Sequence, residues 1–240
     1  MKPFETKDIR NVGIVGHGHC GKTSVVAGLL YAAGATNRLT RVDEGNTVTD
    51  FDEEEISRKL TISSSVAAIE WKKTKINLID TPGFNMFVND AKSALIAADA
   101  AIVVVDAVAG VEAQTERMWK TAEEYNMPRA IVINKLDRDR ASFARTMESI
   151  HERFGRNAVP IQLPLGEDKD FRGVIDLMRM KAFAYTMDGD GKGKEVPIPD
   201  DMLEAAKVAH EELIEIVAEG KDALMEEFFE KGTLPEEHVI

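Results

Sequence analysis

Eight consecutive residues, Gly16-His17-Gly18-His19-Cys20-Gly21-Lys22-Thr23, fit the pattern G-x-x-x-x-G-K-[ST]. Glycines let successive backbone N–H groups turn inward around phosphate oxygens, and a helix opening at the end of the motif adds the positive end of its dipole. In such a loop Lys22 neutralises the β- and γ-phosphates, the Thr23 hydroxyl ligates Mg²⁺, and Ser24 completes the stretch facing the nucleotide. A second group, Asp80-Thr81-Pro82-Gly83 followed by Phe84, comes directly after a β-type run. A carboxylate there can hold Mg²⁺ through water, and the Gly83 N–H can bond a γ-phosphate. A third group, Asn134-Lys135-Leu136-Asp137, stands where another strand should end, the edge at which open α/β sheets bind ligands. The Asp137 carboxylate would accept from the ring N–H and exocyclic amine of guanine, a donor pair adenine lacks. Asn134 would brace the loops, and the Lys135 stem would cover the ring. In this order the three groups point to GTP or GDP with Mg²⁺, and Asp137 disfavours ATP.

These residues need strand ends to position them. Short β-branched runs at 11–15, 61–71, 75–79, 100–106 and 129–134 alternate with helical patterns at 22–33, 88–97, 112–126 and 142–154. That alternation predicts an α/β fold of the P-loop NTPase kind, a mostly parallel sheet with helices on both faces. Residues 100–105 and 130–133 are continuous apolar runs, which predicts strands buried on both faces in the middle of the sheet. Residues 35–60 form a long polar stretch without periodicity, a length that inside a compact domain is usually functional.

From about Asn157 the pattern changes to a smaller α+β subdomain. Pro160, Pro164 and Gly166 punctuate the chain, 173–185 predicts a strand pair, and 188–194, with its glycines, a turn. A helix follows with Leu203, Ala206, His210, Leu213, Ile214 and Val217 on one face, where His210 is a packing residue. A second helix from Asp222 is expected to bury Leu224, Met225, Phe228 and Phe229.

With 240 residues, 44% hydrophobic and 30% charged, the chain has the composition of one or two globular domains, which excludes wholesale disorder and a membrane-spanning bundle. Its start lacks the apolar centre of a secretory signal, and its one cysteine, Cys20, fits a reducing cytosol. The net charge of −12 is uneven: residues 1–155 carry 20 Lys and Arg against 22 Asp and Glu, and residues 156–240 carry 10 against 20. The last third therefore offers no basic face to nucleic acid, DNA included, and predicts a protein contact or a solvated surface.

Beyond the three motifs, the chain resembles the N-terminal part of translational GTPases of the elongation factor G family. Supporting strings are Ile9-Arg10-Asn11, Val42-Asp43-Glu44-Gly45, Arg58-Lys59-Leu60-Thr61-Ile62 and Asn134-Lys135-Leu136-Asp137-Arg138. Leu163-Pro164-Leu165-Gly166 and Phe171-Arg172-Gly173-Val174-Ile175-Asp176-Leu177 resemble the subdomain that this family inserts into its GTP-binding domain. The resemblance implies a first switch in which Thr61 closes over Mg²⁺ and γ-phosphate, so that Thr23, Thr61 and Asp80 form the metal set. It implies catalysis by Lys22, Thr61, Gly83 and the residue at position 84. It further implies a GTP-binding domain over 1–156 without its last strand and helix, and a truncated insert over 157–240. The expected whole is a longer cytoplasmic factor that drives tRNA–mRNA translocation on the ribosome, its acidic subdomain touching the ribosomal stalk protein.

The sequence departs from that family where hydrolysis is concerned. The family's second switch usually reads Asp-Thr-Pro-Gly-His, with the His credited with placing the attacking water; this chain has Phe84. Gly18 stands where the family has Ile or Val, and His19 where it usually has Asp. The same resemblance therefore also implies a paralogue that binds GTP, hydrolyses it slowly or not at all, and is governed by occupancy.

Overall fold

The computed structural model describes residues 4–186, 189 and 191–239, and the chain falls into two units, Met1–Lys135 and Leu136–Ile240. The first holds a sheet of β1 (Ile9–Gly16), β2 (Ser65–Trp71), β3 (Thr74–Asp80), β4 (Ala100–Asp106) and β5 (Arg129–Asn134), in the order β2-β3-β1-β4-β5. β1 runs parallel to β3 and β4, β4 runs parallel to β5, and only β2 is antiparallel. Its helices are α1 (Lys22–Ala32), α2 (Glu53–Arg58), α3 (Val88–Ile96) and α4 (Ala113–Glu124).

Period-two alternation explains why helices cover both faces. Ile14 and Val15 are adjacent and fully buried, yet they enter different clusters. Ile14 packs with Val26 and Leu30 of α1, Leu78 of β3 and Val104 of β4. Val15 packs with Ala91 and Leu95 of α3, Met118 and Ala122 of α4, and Val103 of β4. The parallel register brings the C-terminal ends of β1, β3, β4 and β5 to one edge: Ile14 pairs with Asp80, Gly16 with Val104, and Asp106 with Asn134.

The second unit begins with α5 (Phe143–Phe154). An antiparallel sheet follows, β6 (Gln162–Leu165), β7 (Gly173–Asp176), β8 (Lys181–Ala184) and β9 (Lys194–Val196), paired in chain order. Next come α6 (Asp200–Glu219), α7 (Asp222–Lys231) and α8 (Glu236–Val239). Leu165, Ile175, Leu177 and Ala182 close against Ala206, Ala209 and Leu213 of α6, while Ile214 and Ala218 take Leu224, Met225 and Phe228 of α7. His210 pairs its Nδ1 with the Leu177 carbonyl at 2.7 Å, as a packing residue should.

Four expectations are corrected. β5 lies at the edge of the sheet formed by the described residues, and its residues are half-buried or exposed; an apolar run does not by itself fix the number of strand neighbours. β2 starts at Ser65 rather than Thr61, since the Ile62 and Ser63 N–H groups donate to the Glu55 carboxylate and Ser64 to Asp90. The polar stretch contains α2, six residues long and too short to show a period; Asp52 caps it by accepting from the Glu54 N–H at 2.8 Å. Phe229 is 78% exposed: adjacent helical residues stand ~100° apart, so Phe228 alone faces α6. The turn expected over 188–194 lies partly outside the described residues.

Candidate nucleotide and metal site

The phosphate loop leaves β1 at Gly16 and enters α1 at Lys22. Gly16, at φ 146°, must be glycine: a Cβ there would stand 2.4 Å from the Val104 carbonyl oxygen and 3.1 Å from Cys20 Sγ. His19 and Gly21 also have positive φ, 62° and 96°, so the backbone winds as an N–H cradle does. Lys22 is buried and donates to the His17 carbonyl at 2.9 Å, lying back across the loop. Half-buried His17 brings Nε2 to 3.4 Å from the Glu112 carboxylate. Cys20 sinks into the core, where burial raises its thiol pKa, and Ser24 is exposed on the first turn of α1.

The segment after β3 lies against this loop. Thr81 is fully buried and donates to the Ile14 carbonyl at 2.7 Å, next to buried Pro82. A Cβ on Gly83 would fall 2.3 Å from Lys22 Nζ and 2.7 Å from the Gly18 nitrogen, so backbone meets backbone there. The Phe84 ring covers Gly18, whose Cβ would stand 2.9 Å from the ring, and it meets the His19 imidazole edge-on at 5.1 Å between centroids. The Asn85 side-chain oxygen accepts from Gln114 and Arg117 of α4, which turns it away from any phosphate chemistry.

Thr23, Thr61 and Asp80 converge. The Thr23 and Thr61 hydroxyl oxygens are 3.1 Å apart, close to the cis edge of about 2.9 Å in an octahedron with Mg–O bonds of 2.0–2.1 Å. Asp80 is fully buried; burial pushes its pKa up to about 6, against the hydrogen bond from Thr49, the nearby Thr23 hydroxyl and the charge of Lys22. Its Oδ1 has no partner. Two hydroxyls and an unpaired carboxylate oxygen form a hard-oxygen set that fits Mg²⁺, whose charge would hold the carboxylate ionised. Among the described residues, no group of three or more His, Cys, Asp and Glu could hold a metal instead.

Three residues of this network carry no motif. Asp50 is 4% exposed and accepts from the Thr61 hydroxyl at 2.9 Å; burial raises its pKa, assisted by the charge of Glu55. Thr49 donates to Asp80 Oδ2 at 2.8 Å. Glu55, buried on α2, accepts from the N–H groups of Ile62 and Ser63 at 2.8 and 3.1 Å and so fixes the chain just after Thr61.

At the end of β5, the Asn134 amide donates to the Cys20 carbonyl at 2.9 Å, and Lys135 Nζ donates to the His19 carbonyl and to Asp106 Oδ2, the latter at 2.7 Å. Burial works to raise the Asp106 pKa, but the bonds from Lys135 and the Val108 N–H outweigh it and hold the carboxyl below its ordinary range. Leu136 and Asp137 open the second unit, and Asp137 is exposed on a turn.

An open parallel sheet that feeds a phosphate loop and collects carboxylates at the same edge is the architecture of P-loop nucleotide-binding proteins. Within that class the chain belongs to the family of elongation factor Tu GTP binding domains, whose model matches residues 7–235. It is 40% identical over 231 residues to elongation factor G of Thermotoga petrophila, covering 96% of this chain and 33% of that protein. Elongation factor G of Thermotoga maritima is 39% identical over the same share. A crystal structure of a protein from Thermus thermophilus superposes with a TM-score of 0.88 at 35% identity, over 96% of this chain and 34% of that one. The chain thus spans about a third of the length of these relatives.

Replacing Glu55 by Ala leaves the half-buried Ile62 N–H and the exposed Ser63 N–H without their carboxylate acceptor, a loss of about 0.5–1.5 kcal/mol for each bond. Amide exchange read by mass spectrometry is expected to quicken over 59–64 and to stay unchanged in β4. Equal exchange in the two proteins would show that Glu55 does not fix this segment.

Proposed function

We propose that the chain binds GTP and GDP with Mg²⁺ and is the nucleotide-driven switch of a ribosome-bound translation factor of the elongation factor G type. The observation that carries this is the pair of hydroxyls 3.1 Å apart beside a buried carboxylate with a free oxygen, next to a closed phosphate loop. In this reading residues 16–24, 80–84 and 134–137 hold the nucleotide, and Thr23, Thr61 and Asp80 hold the metal. Mg²⁺, when bound, neutralises phosphate charge. Lys22 shares that task from the loop, the Gly83 N–H holds the γ-phosphate, and Asp137 chooses guanine. The domain reading is a GTP-binding domain at 1–156 and an insert at 157–240. Residues 36–61 and 80–90 order around the γ-phosphate and relax once it has left, which is how the parent drives translocation in the cytoplasm.

A second reading is favoured by Phe84. A phenyl ring has no lone pair, and this one covers Gly18 with Asn85 turned to α4, so the second switch supplies no side chain to orient a water. Loss of one well-placed polar group typically costs about 10²–10³ in rate. Hydrolysis is then slow, and the protein works chiefly by occupancy.

The acidic second unit supports a basic protein partner, by family likeness the ribosomal stalk. A cleft of about 580 Å³ within that unit is lined by Glu148, Glu152, Glu212, Glu215 and Glu219, with Arg156 the basic residue among them. Reversing Glu212 and Glu215 to Lys is expected to weaken stalk-protein binding in pull-down titrations and to leave nucleotide affinity unchanged; equal stalk binding would leave the cleft a solvated surface.

Calorimetry tests the nucleotide assignment: Asp137→Asn should exchange guanine for xanthine preference, because an acceptor becomes a donor. Unchanged guanine affinity would sink it. Single-turnover GTP hydrolysis on ribosomes separates the two catalytic readings. Phe84→His is expected to accelerate the reaction, the more so with Gly18→Ile, and no gain in either variant would mean that the chemistry does not depend on position 84.

A further inference from the structure

We infer that Thr49 is a positioning residue of the metal pocket, one that pins one oxygen of Asp80 so that the other stays presented to a water on a divalent cation. The inference rests on the nucleotide and Mg²⁺ reading above. Thr49 is 2% exposed, and its hydroxyl donates to Asp80 Oδ2 at 2.8 Å, while Oδ1 of the same carboxylate is buried without a partner.

The asymmetry is the argument. An aspartate carboxylate turns easily about its last bond, whose torsion is broad and two-fold, so an unanchored group exchanges its oxygens and blurs the direction of its free lone pair. Anchored through Oδ2, Asp80 can turn only by breaking a buried hydrogen bond. The neighbouring residue acts on the other side of the pocket, where Asp50 Oδ1 accepts from the Thr61 hydroxyl at 2.9 Å. That bond takes the Thr61 proton and leaves its oxygen lone pairs toward Thr23 Oγ1, 3.1 Å away. Consecutive residues thus supply a donor to the carboxylate that needs one and an acceptor to the hydroxyl that needs one. Thr49 joins the 35–60 stretch to the end of β3, so that the geometry of Asp80 depends on whether this stretch is closed. Outer-shell partners of this kind commonly alter metal affinity 10–100-fold when removed.

The test is the Mg²⁺ dependence of release of a fluorescent, non-hydrolysable GTP analogue, which keeps the 35–60 stretch closed and allows no turnover. Thr49→Val keeps the volume and removes the donor, and Thr49→Ser keeps the donor and removes a methyl. The expected result is an increase of about 10–100-fold in the Mg²⁺ concentration that half-maximally slows release in Thr49→Val, and most of the original value in Thr49→Ser. Release in excess EDTA should be the same in all three proteins, because the phosphate loop is untouched. An unchanged Mg²⁺ requirement in Thr49→Val would overturn the inference, as would faster release to the same extent with and without Mg²⁺, which marks a packing defect. Failure of Thr49→Ser to restore the requirement would overturn it too. Release of the analogue from the unaltered protein without any response to Mg²⁺ would instead overturn the nucleotide–metal reading itself, and this inference with it.

Discussion

Asp80 is a carboxylate with no surface open to water, at the end of a strand whose backbone is fixed on both sides by β1 and β2. Burying such a group is costly unless it is paired, and the rise of its pKa to about 6 is that cost expressed as proton affinity. The surroundings answer with the Thr49 and Thr23 hydroxyls and the charge of Lys22, while the nearby Asp50 works the other way. The balance leaves one oxygen unpaired and a pocket short of positive charge. A divalent cation would complete it better than any side chain present, because it would bring two charges beside the unpaired Asp80 oxygen and the Thr23 and Thr61 hydroxyls. The attachment of the polar stretch at Thr49 and the nearness of the Lys22 charge are both part of how this one group is satisfied.

The closure is made of polar bonds, and that decides how it can behave. Between residues 39 and 61 the buried side chains are Thr40, Thr47, Thr49, Asp50, Glu55 and Thr61, of which the last four are hydrogen-bonded, whereas Leu39, Val48 and Phe51 are exposed. A loop held by apolar burial stays shut. One held by a handful of hydrogen bonds, each worth about 0.5–1.5 kcal/mol net, opens once two or three are lost together. The inverted burial pattern therefore suits a segment whose order is meant to depend on a ligand.

The same inversion explains what could be read in advance and what could not. Gly16-to-Thr23, Asp80-to-Gly83 and Asn134-Lys135 were legible because each sits at the end of a β-branched run, and a parallel register carries such ends to one edge. Thr49, Asp50 and Glu55 were not. They lie among Asp43, Glu44, Asp52, Glu53 and Glu54, and nothing in a run of similar acids tells which one turns inward; α2 is too short to show a period that would single out Glu55. The helices of the second unit were legible from their apolar faces, but the adjacent pair Phe228 and Phe229 shows the limit of composition, since two neighbouring aromatics cannot share one face. The apolar run of β5 likewise carried no information about its strand neighbours.

Gly18 and Phe84 are best understood as one feature. Gly83 brings its backbone against the phosphate loop because neither it nor Gly18 carries a side chain, and the next residue then lays its ring where a side chain at 18 would have stood. An aliphatic residue at 18 and this ring could not both occupy that volume, so restoring one without moving the other overpacks the junction. The exchange also changes what links the two segments. A polar group at position 84 would answer to the charge on the terminal phosphate, whereas a ring held by contact with Gly18 and by the edge of His19 is placed by shape. The junction between phosphate loop and second switch thus rests on packing, while the junction between metal pocket and the 35–60 stretch rests on hydrogen bonds.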